Sequence, residues 1–306
     1  MNWPDSVTIT EVGPRDGLQN EPAAIPLEQK IEMVDRLSRT GLQRIEAASF
    51  VRADAIPQMA NADEVMAGIE RHPGVTYVAL VPNDTGARRA IAAAADEIAV
   101  VVSASESHNQ SNVNRSVAES LEGVTAIVGL CREAGLPWSG YISTAFGCPY
   151  EGAVQPDAVV RIARFYAEAG AHAVALGDTI GVADPRQVYD LVSRVTSELG
   201  ETNVRLHFHD TYGRALANTI VALEAGVRQF DGSVGGLGGC PYAPGASGNV
   251  TTEDLVAMLQ AMGIETGIDL GALLEVAGFM QHVVGRRLDG KVMRAAAAAS
   301  AAGQER

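Results

Sequence analysis

The 306-residue sequence predicts an α/β fold: a closed (β/α)8 TIM barrel with an extra C-terminal helical segment. Three observations carry that expectation. First, a helical stretch repeatedly ends in a glycine before a short β-rich run, as at Gly41 before 42–49, Gly135 before 138–146, Gly170 before 173–178 and Gly226 before 230–234. A glycine there supplies the left-handed residue that closes a helix ahead of the next strand. Second, eight such strands can be counted in serial β-α alternation, and the length suits that barrel. Third, no glycine-rich dinucleotide loop follows the first strand, which disfavours a doubly wound open sheet.

Taken in order, the strand cores carry their polar residues at their C-terminal ends, where a barrel of this kind places its chemistry. Strand 7–12 runs into Gly13-Pro14-Arg15-Asp16-Gly17-Leu18-Gln19-Asn20-Glu21, and helix 27–39 follows. Strand 44–49 holds Glu46 in an apolar run and ends at Ser49, before helix 58–71. Strand 76–81 is apolar, and strand 97–103 ends in Ser103, Ser105 and Glu106 ahead of helix 116–134. Strand 139–145 precedes helix 156–169, and strand 173–177 ends in Asp178-Thr179 before helix 185–199. Strand 205–209 closes on His207-Phe208-His209, with helix 212–225 after it, and strand 230–234 opens a glycine-rich loop. Residues 269–281 read as an extra helix, 283 onward as a tail, and the alanine run 295–299 as helical or frayed. One domain is expected over 1–306, with the barrel at about 5–265 and C-terminal helices at about 266–306.

Composition narrows the partners. A hydrophobic content of 47% with 20% charged residues excludes a disordered chain, and a net charge of −14 argues against nucleic acid or an anionic membrane as partner. A local cluster of arginines can still hold an anionic small molecule. The N-terminal segment shows neither a secretory nor a transit pattern, and no apolar run reaches membrane-spanning length. Three cysteines without paired spacing, Cys131, Cys148 and Cys240, fit reduced thiols and a cytoplasmic location.

His207 and His209 are two apart on a strand, so both imidazoles project to one face. A bare His-x-His is also compatible with two polar strand residues that merely share a side. Barrel closure changes the weighing, because it sets the first strand beside the eighth and close to the seventh. Asp16, His207, His209 and a ligand from the last loop, for which Asn249 is the best candidate, then converge. Two imidazoles, a carboxylate and an amide oxygen suit Mg²⁺ or Mn²⁺ with open positions, although imidazole also admits Zn²⁺, Co²⁺ or Fe²⁺. Asp16 taken alone is a turn-forming Asp-Gly residue. Arg15 offers a fixed cation to a developing negative charge, or is a solvated turn arginine. Glu46 is costly unless paired with Arg15 or orienting a ligand, and Asp178 reads the same way. The loop 235–249 can close over a ligand and bring up Cys240, whose thiol can act as acid or nucleophile, or is simply a small buried residue. The basic cluster Arg286, Arg287, Lys291 and Arg294 suits phosphates or a solvated face.

These motifs together resemble 3-hydroxy-3-methylglutaryl-CoA lyases. The resemblance is carried by residues 11–21, by His207 to Gly213 with Ala215-Leu216-Ala217-Asn218, by the 235–249 loop, and by Ser49-Phe50-Val51, Pro57-Gln58-Met59, residues 147–152 and 176–181, so it covers nearly the whole chain. It implies a metal-dependent lyase that splits an acyl-CoA into acetyl-CoA and acetoacetate. By position it implies metal ligation by Asp16, His207, His209 and Asn249, enolate stabilisation by Arg15, and protonation of the enolate carbon by Cys240, with Glu46 and Asp178 supporting the site. The base is left open among His207, Asp16 and metal-bound water. Substrate contacts are expected from Arg15, Gln19, Ser49, Thr179 and Arg287, with an acyl-CoA thioester as partner and a homo-oligomer, dimer or higher, as the assembly. Two stretches depart from the family pattern. His108 and Gln110 stand where an aromatic and a lysine are usual, and Gly285-Arg286-Arg287 replaces Asn-Arg-Lys. Both bear on which acyl group is taken, so a longer 3-alkylglutaryl-CoA or citramalyl-CoA is an alternative substrate. A Claisen-type synthase and a non-catalytic binder of metal or acyl-CoA are the remaining readings.

Overall fold

The computed structural model describes residues 3–200, 202–238 and 248–304, with side chains up to residue 299. Eight parallel strands close on themselves in sequence order: β1 (Thr8–Glu11), β2 (Arg44–Ser49), β3 (Thr76–Leu80), β4 (Glu97–Ser103), β5 (Trp138–Ser143), β6 (Ala173–Asp178), β7 (Asn203–Phe208) and β8 (Gln229–Gly232). The helices are α1 (Leu27–Ser38), α2 (Ala62–Gly68), α3 (Asp84–Ala92), α4 (Glu106–Val113), α5 (Val117–Ala134), α6 (Pro156–Glu168), α7 (Pro185–Leu199), α8 (Ala215–Glu224), α9 (Thr252–Ala261), α10 (Leu270–Val284) and α11 (Lys291–Gln304). This is the TIM barrel that the strand count predicts, and β1 pairs with both β2 and β8. Among the described residues no helix is long and apolar enough to cross a membrane.

The main core lies between the sheet and its jacket of helices, where Met33, Leu37, Ile98, Ile142, Val159, Leu176 and Leu206 are buried. Inside the barrel the apolar filling is small: Val78, Leu80, Ala99, Tyr141 and Ala175 form a separate cluster. The rest of the interior is polar. At the N-terminal end of the strands Arg44 forks onto both oxygens of Glu97 at 2.5 and 2.7 Å, and Ser139 Oγ donates to Glu97 Oε1 at 2.7 Å. A bidentate, hydrogen-bonded pair is the form in which buried charge is tolerated.

One irregularity bears on the site. β2 pairs Glu46 with Val78 and Ala48 with Ala79, so one residue is extra and the strand is bulged. Strand residues three apart normally face opposite ways. The bulge restores Ser49 to the parity of Leu80, so Glu46 and Ser49 share the inward face.

Several elements differ from the sequence expectation. Residues 57–59 form a separate 3₁₀ turn and α2 starts only at Ala62, because Gln58 is drawn toward the loop after β1, donating to Glu21 O at 3.0 Å and accepting from Ile25 N at 3.3 Å. Residues 106–113, which lacked helical periodicity, form α4 under a Ser105 cap that accepts from His108 N. The tail, by contrast, is helical as expected: it forms α11, whose first amides, Lys291 N and Val292 N, donate to Asp254.

Candidate metal centre and active site

Gly13–Gly17 is a π-type helical turn, and the amides of Arg15, Asp16 and Gly17 all point back at Val12 O, at 3.2, 2.7 and 3.2 Å. Wide turns of this kind are frequent at functional sites. Gly17 packs under the last loop, where an added Cβ would stand 2.8 Å from Leu237 Cβ. Buried Glu11 locks the turn from below, accepting from Gly13 N at 2.7 Å, Val234 N at 2.9 Å and Thr252 Oγ1 at 2.6 Å. Burial nevertheless pushes its carboxyl up to about 8.

From this turn Arg15 reaches two carboxylates, with Nε 2.5 Å from Glu46 Oε1 and Nη1 2.7 Å from Asp16 Oδ1. Glu46 therefore pairs with Arg15, as its place in an apolar strand requires. Its other oxygen, Oε2, is buried with no hydrogen-bond partner among the described residues. Burial raises the Glu46 carboxyl even against Arg15. Burial acts on Asp16 in the same sense, but Arg15, His207, His209 and Asn249 outweigh it and hold that carboxyl well below the usual range.

β7 brings in the histidines. His207 Nε2 and His209 Nε2 lie 3.9 and 4.0 Å from Asp16 Oδ2, and a potential ligand atom from each of the three residues falls within 4.8 Å of the others. Asn249 joins through the backbone. His209 pairs with Asn249 in an antiparallel bridge, Asp210 N donates to Gly248 O, and Val250 N donates to Phe208 O. The returning loop is thus laid against the end of β7. Asn249 Nδ2 donates to Asp16 Oδ2 at 2.8 Å and Leu237 O at 2.9 Å, while its Oδ1 is buried without a hydrogen-bond partner among the described residues. Gly238 makes room for this amide, since a Cβ there would stand 2.4 Å from Asn249 Nδ2.

The donor set fits a divalent cation: hard oxygens from Asp16 and Asn249, two imidazoles, and an orphaned amide oxygen that such an ion would satisfy. The protonation pattern suits it at one of the two imidazoles. Burial, then repulsion by His207, lowers His209 to about 4, so its ring is neutral at pH 7. Burial opposes protonation of His207 too, but a hydrogen bond to Asp231 and the charges of Asp16 and Asp231 raise it.

The remaining expected site residues are placed less uniformly. Ser49 is fully buried on the inward face of β2, and its Oγ has no hydrogen-bond partner among the described residues. Thr179 Oγ1 accepts from Thr144 N at 2.7 Å, and Gln19 is half-buried just past the π turn. Asp178 spends its oxygens on the amides of Val182 and Ala183, at 2.9 and 3.1 Å, bracing the loop after β6, and burial pushes its carboxyl up to about 7. Arg286 is ion-paired to Glu21, while exposed Arg287 lines a cavity of about 710 Å³ with His282, Met293 and Arg294. Cys240 lies outside the described residues.

Sequence reasoning missed Asp231, whose Oδ2 is 3.2 Å from His207 Nδ1, and Arg205, whose Nε is 3.8 Å from Asp231 Oδ1. Their signal was parity: Arg205 sits two before His207, and Asp231 two after Gln229, which pairs with Arg205 in the sheet.

Comparison with known proteins shows what the chain as a whole is similar to. The family model described as HMGL-like matches residues 6–280. The mitochondrial hydroxymethylglutaryl-CoA lyase of Bos taurus is 47% identical over 96% of this chain and 90% of its own length. The crystal structure of the Bacillus subtilis HMG-CoA lyase superposes with a TM-score of 0.95 at 46% identity, covering 96% of this chain and 99% of that one. An HMG-CoA lyase from Acinetobacter baumannii, solved in complex with coenzyme A and 3-methylmalate, gives a TM-score of 0.92 at 43% identity over 96% of each chain.

Proposed function

The chain belongs to the HMGL-like family, and on that premise we propose that it is a lyase cleaving 3-hydroxy-3-methylglutaryl-CoA to acetyl-CoA and acetoacetate. The observation that carries the reading is the convergence of Asp16, His207 and His209 beside the orphaned Asn249 Oδ1. These four residues would hold Mg²⁺ or Mn²⁺, which when bound supplies a Lewis acid for the oxygens of the substrate.

The chain's own groups do the rest. The tertiary hydroxyl gives up its proton, its oxygen becomes the new ketone of acetoacetate, and the C2–C3 electron pair passes to the acetyl-CoA fragment as an enolate. His207 engages Asp231 through Nδ1 and faces Asp16 through Nε2, so it serves as a ligand. Among the acidic groups around it that would not hold the cation, buried Glu46, whose carboxyl is raised, is the proton acceptor. Arg15, with Nε and Nη1 committed to Glu46 and Asp16, offers Nη2 to the enolate oxygen. Cys240 returns a proton to the enolate carbon. Asp178 supports the rim by bracing its loop, and Gln19, Ser49, Thr179 and Arg287 contact the acyl-CoA.

We place the protein in the cytoplasm as a homo-oligomer. The free, buried thiols Cys131 and Cys148 suit a reducing compartment.

The test is a panel of 3-hydroxyacyl-CoA thioesters incubated with Mg²⁺ or Mn²⁺ and scored for acetyl-CoA release. The methylglutaryl thioester should yield acetyl-CoA and acetoacetate in equal amounts, and a chelator should stop the reaction. Cleavage of a longer 3-alkylglutaryl or citramalyl thioester in its place would overturn the substrate and keep the chemistry. A Cys240→Ala chain that turned over every thioester at the unaltered rate would remove the acid role of that thiol.

A further inference from the structure

The two imidazoles of the cluster are not held alike. His209 Nδ1 is buried with no hydrogen-bond partner among the described residues. His207 Nδ1, by contrast, lies 3.2 Å from Asp231 Oδ2. Asp231 has no route to water, being 2% exposed, and no other hydrogen bond from it is seen among the described residues, where Oδ1 stands unpartnered. What faces that oxygen is Arg205, with Nε at 3.8 Å, and both side chains are 1% exposed.

Strand geometry makes this a built arrangement. β7 and β8 run side by side with Arg205 opposite Gln229, so the inward positions Arg205, His207, Gln229 and Asp231 form one square of neighbours within the barrel. Arg205 Nη2 donates to Gln229 Oε1 at 3.2 Å, which anchors the guanidinium from below. Tyr141 stands edge-on to the His207 ring, 6.2 Å between centroids at 82°, and closes the remaining side. Neutral imidazole has one N–H and one lone pair, and a carboxylate at Nδ1 can only accept.

We propose that Asp231, itself held by Arg205, is a positioning residue that fixes the ring and tautomer of His207, taking Nδ1–H so that the Nε2 lone pair faces Asp16 and the metal. The inference rests on the metal-site reading of the cluster and is independent of which thioester is cleaved. A carboxylate behind a ligating imidazole orients the ring and makes it a better donor, and removing one weakens metal binding by about 10- to 100-fold. Asparagine is the informative replacement. It has nearly the same shape, but its amide can donate to Nδ1 and thereby stabilise the tautomer whose proton sits on Nε2 and blocks ligation.

The test uses the full chain, freed of metal with a chelator and labelled with ¹⁵N-histidine. Two-bond ¹H–¹⁵N spectra at about pH 9, well above the ordinary imidazole value, report the tautomer, and a His207→Gln spectrum assigns the signal. The expected result is an Nδ1–H tautomer for His207 in the unaltered chain, shifted toward Nε2–H in Asp231→Asn. Titration calorimetry with Mn²⁺ should show about a 10- to 100-fold weaker Kd for Asp231→Asn, and a smaller loss for Arg205→Met, with Arg205→Lys closer to the unaltered chain. An Nε2–H tautomer in the unaltered chain, or a Mn²⁺ Kd in Asp231→Asn within a factor of about two of it, overturns the proposal. A chain that passes both tests yet cleaves no thioester would sink the activity assignment alone. Should Arg205→Met fail to fold, the near-isosteric Asp231→Asn still decides the matter.

Discussion

Arg15 is where stability and chemistry are most tightly joined. It is the only counter-ion seen within hydrogen-bond reach of Glu46 among the described residues, and that carboxylate is wholly buried. Arg15→Met should therefore act twice. It should lower kcat by about 100- to 1,000-fold, as loss of an oxyanion donor does. It should also lower unfolding free energy by about 3 to 5 kcal/mol, because a buried charge is left unpaired. Arg15→Lys keeps the charge but cannot fork between Glu46 and Asp16, so it should recover more stability than kcat. Steady-state kinetics and urea denaturation on the same preparations separate the two effects. Glu46 pairing with Arg15 was one of the two readings the sequence offered, the other being that it orients a ligand, since an apolar strand cannot carry a lone carboxylate. Asp231 was not legible there, because an aspartate in a short strand has many innocent explanations until its neighbour across the sheet is known.

At the scale of elements, the strands supply fixed positions and the helices press them into place. Gly140 of β5 lies flat under Tyr166 of α6, and a Cβ there would stand 2.3 Å from the ring. Tyr166 is fully buried and its hydroxyl donates to Tyr141 O at 3.2 Å, so the ring has little freedom to yield. Gly140→Ala should cost about 1 to 3 kcal/mol by overpacking. Because Tyr141 shares that strand and stands against His207, kcat should fall as well, which thermal unfolding and initial rates would show. The helix–glycine–strand rhythm made most elements visible. The bulge in β2 and the π turn at Gly13–Gly17 were not visible, because each is imposed by partners distant in sequence, β3 across the sheet and Glu11 bonding Val234, while α4 lacks an apolar period and rests on polar contacts, Asn109 donating to Arg115 O and Ser116 O.

The whole molecule carries an uneven set of buried carboxyls, and stability should depend on pH accordingly. Burial raises Glu11 to about 8, and Asp178 and Glu253 each to about 7. Folding makes these groups take up protons, so their favourable contribution is complete below the ordinary carboxyl range and is lost as pH rises through 7 to 8. Glu97, lowered to about 2 by Arg44 against the effect of burial, works in the opposite sense, and so does Asp16. Their contribution is present above the ordinary range and is lost as pH falls through their lowered values. Stability from these groups should peak at roughly pH 4 to 5 and decline toward pH 8 or 9. Glu11→Gln can still accept from Gly13 N and Val234 N and donate to Thr252, so it should fold and show a shallower decline. Denaturant midpoints at about pH 5.5 and 8.5 would reveal this. An equally steep decline in the variant would mean that Glu11 is not among the groups responsible.

The sequence by itself determined the barrel and the identity of the cluster. Strand count, helix-ending glycines and polar residues at strand ends are local signals, and local signals survive without coordinates. Closure of the barrel then follows from the count, and closure alone draws Asp16 toward His207 and His209. What only the tertiary structure decided is how those residues are held: Arg15 forked between Glu46 and Asp16, Asn249 delivered by a backbone bridge to His209, and His207 backed by Asp231 and Arg205. The physical reason is that hydrogen-bond direction and pKa depend on distances of a few tenths of an ångström between residues on different strands and loops. Periodicity tells which face a side chain is on, and packing tells what it meets there.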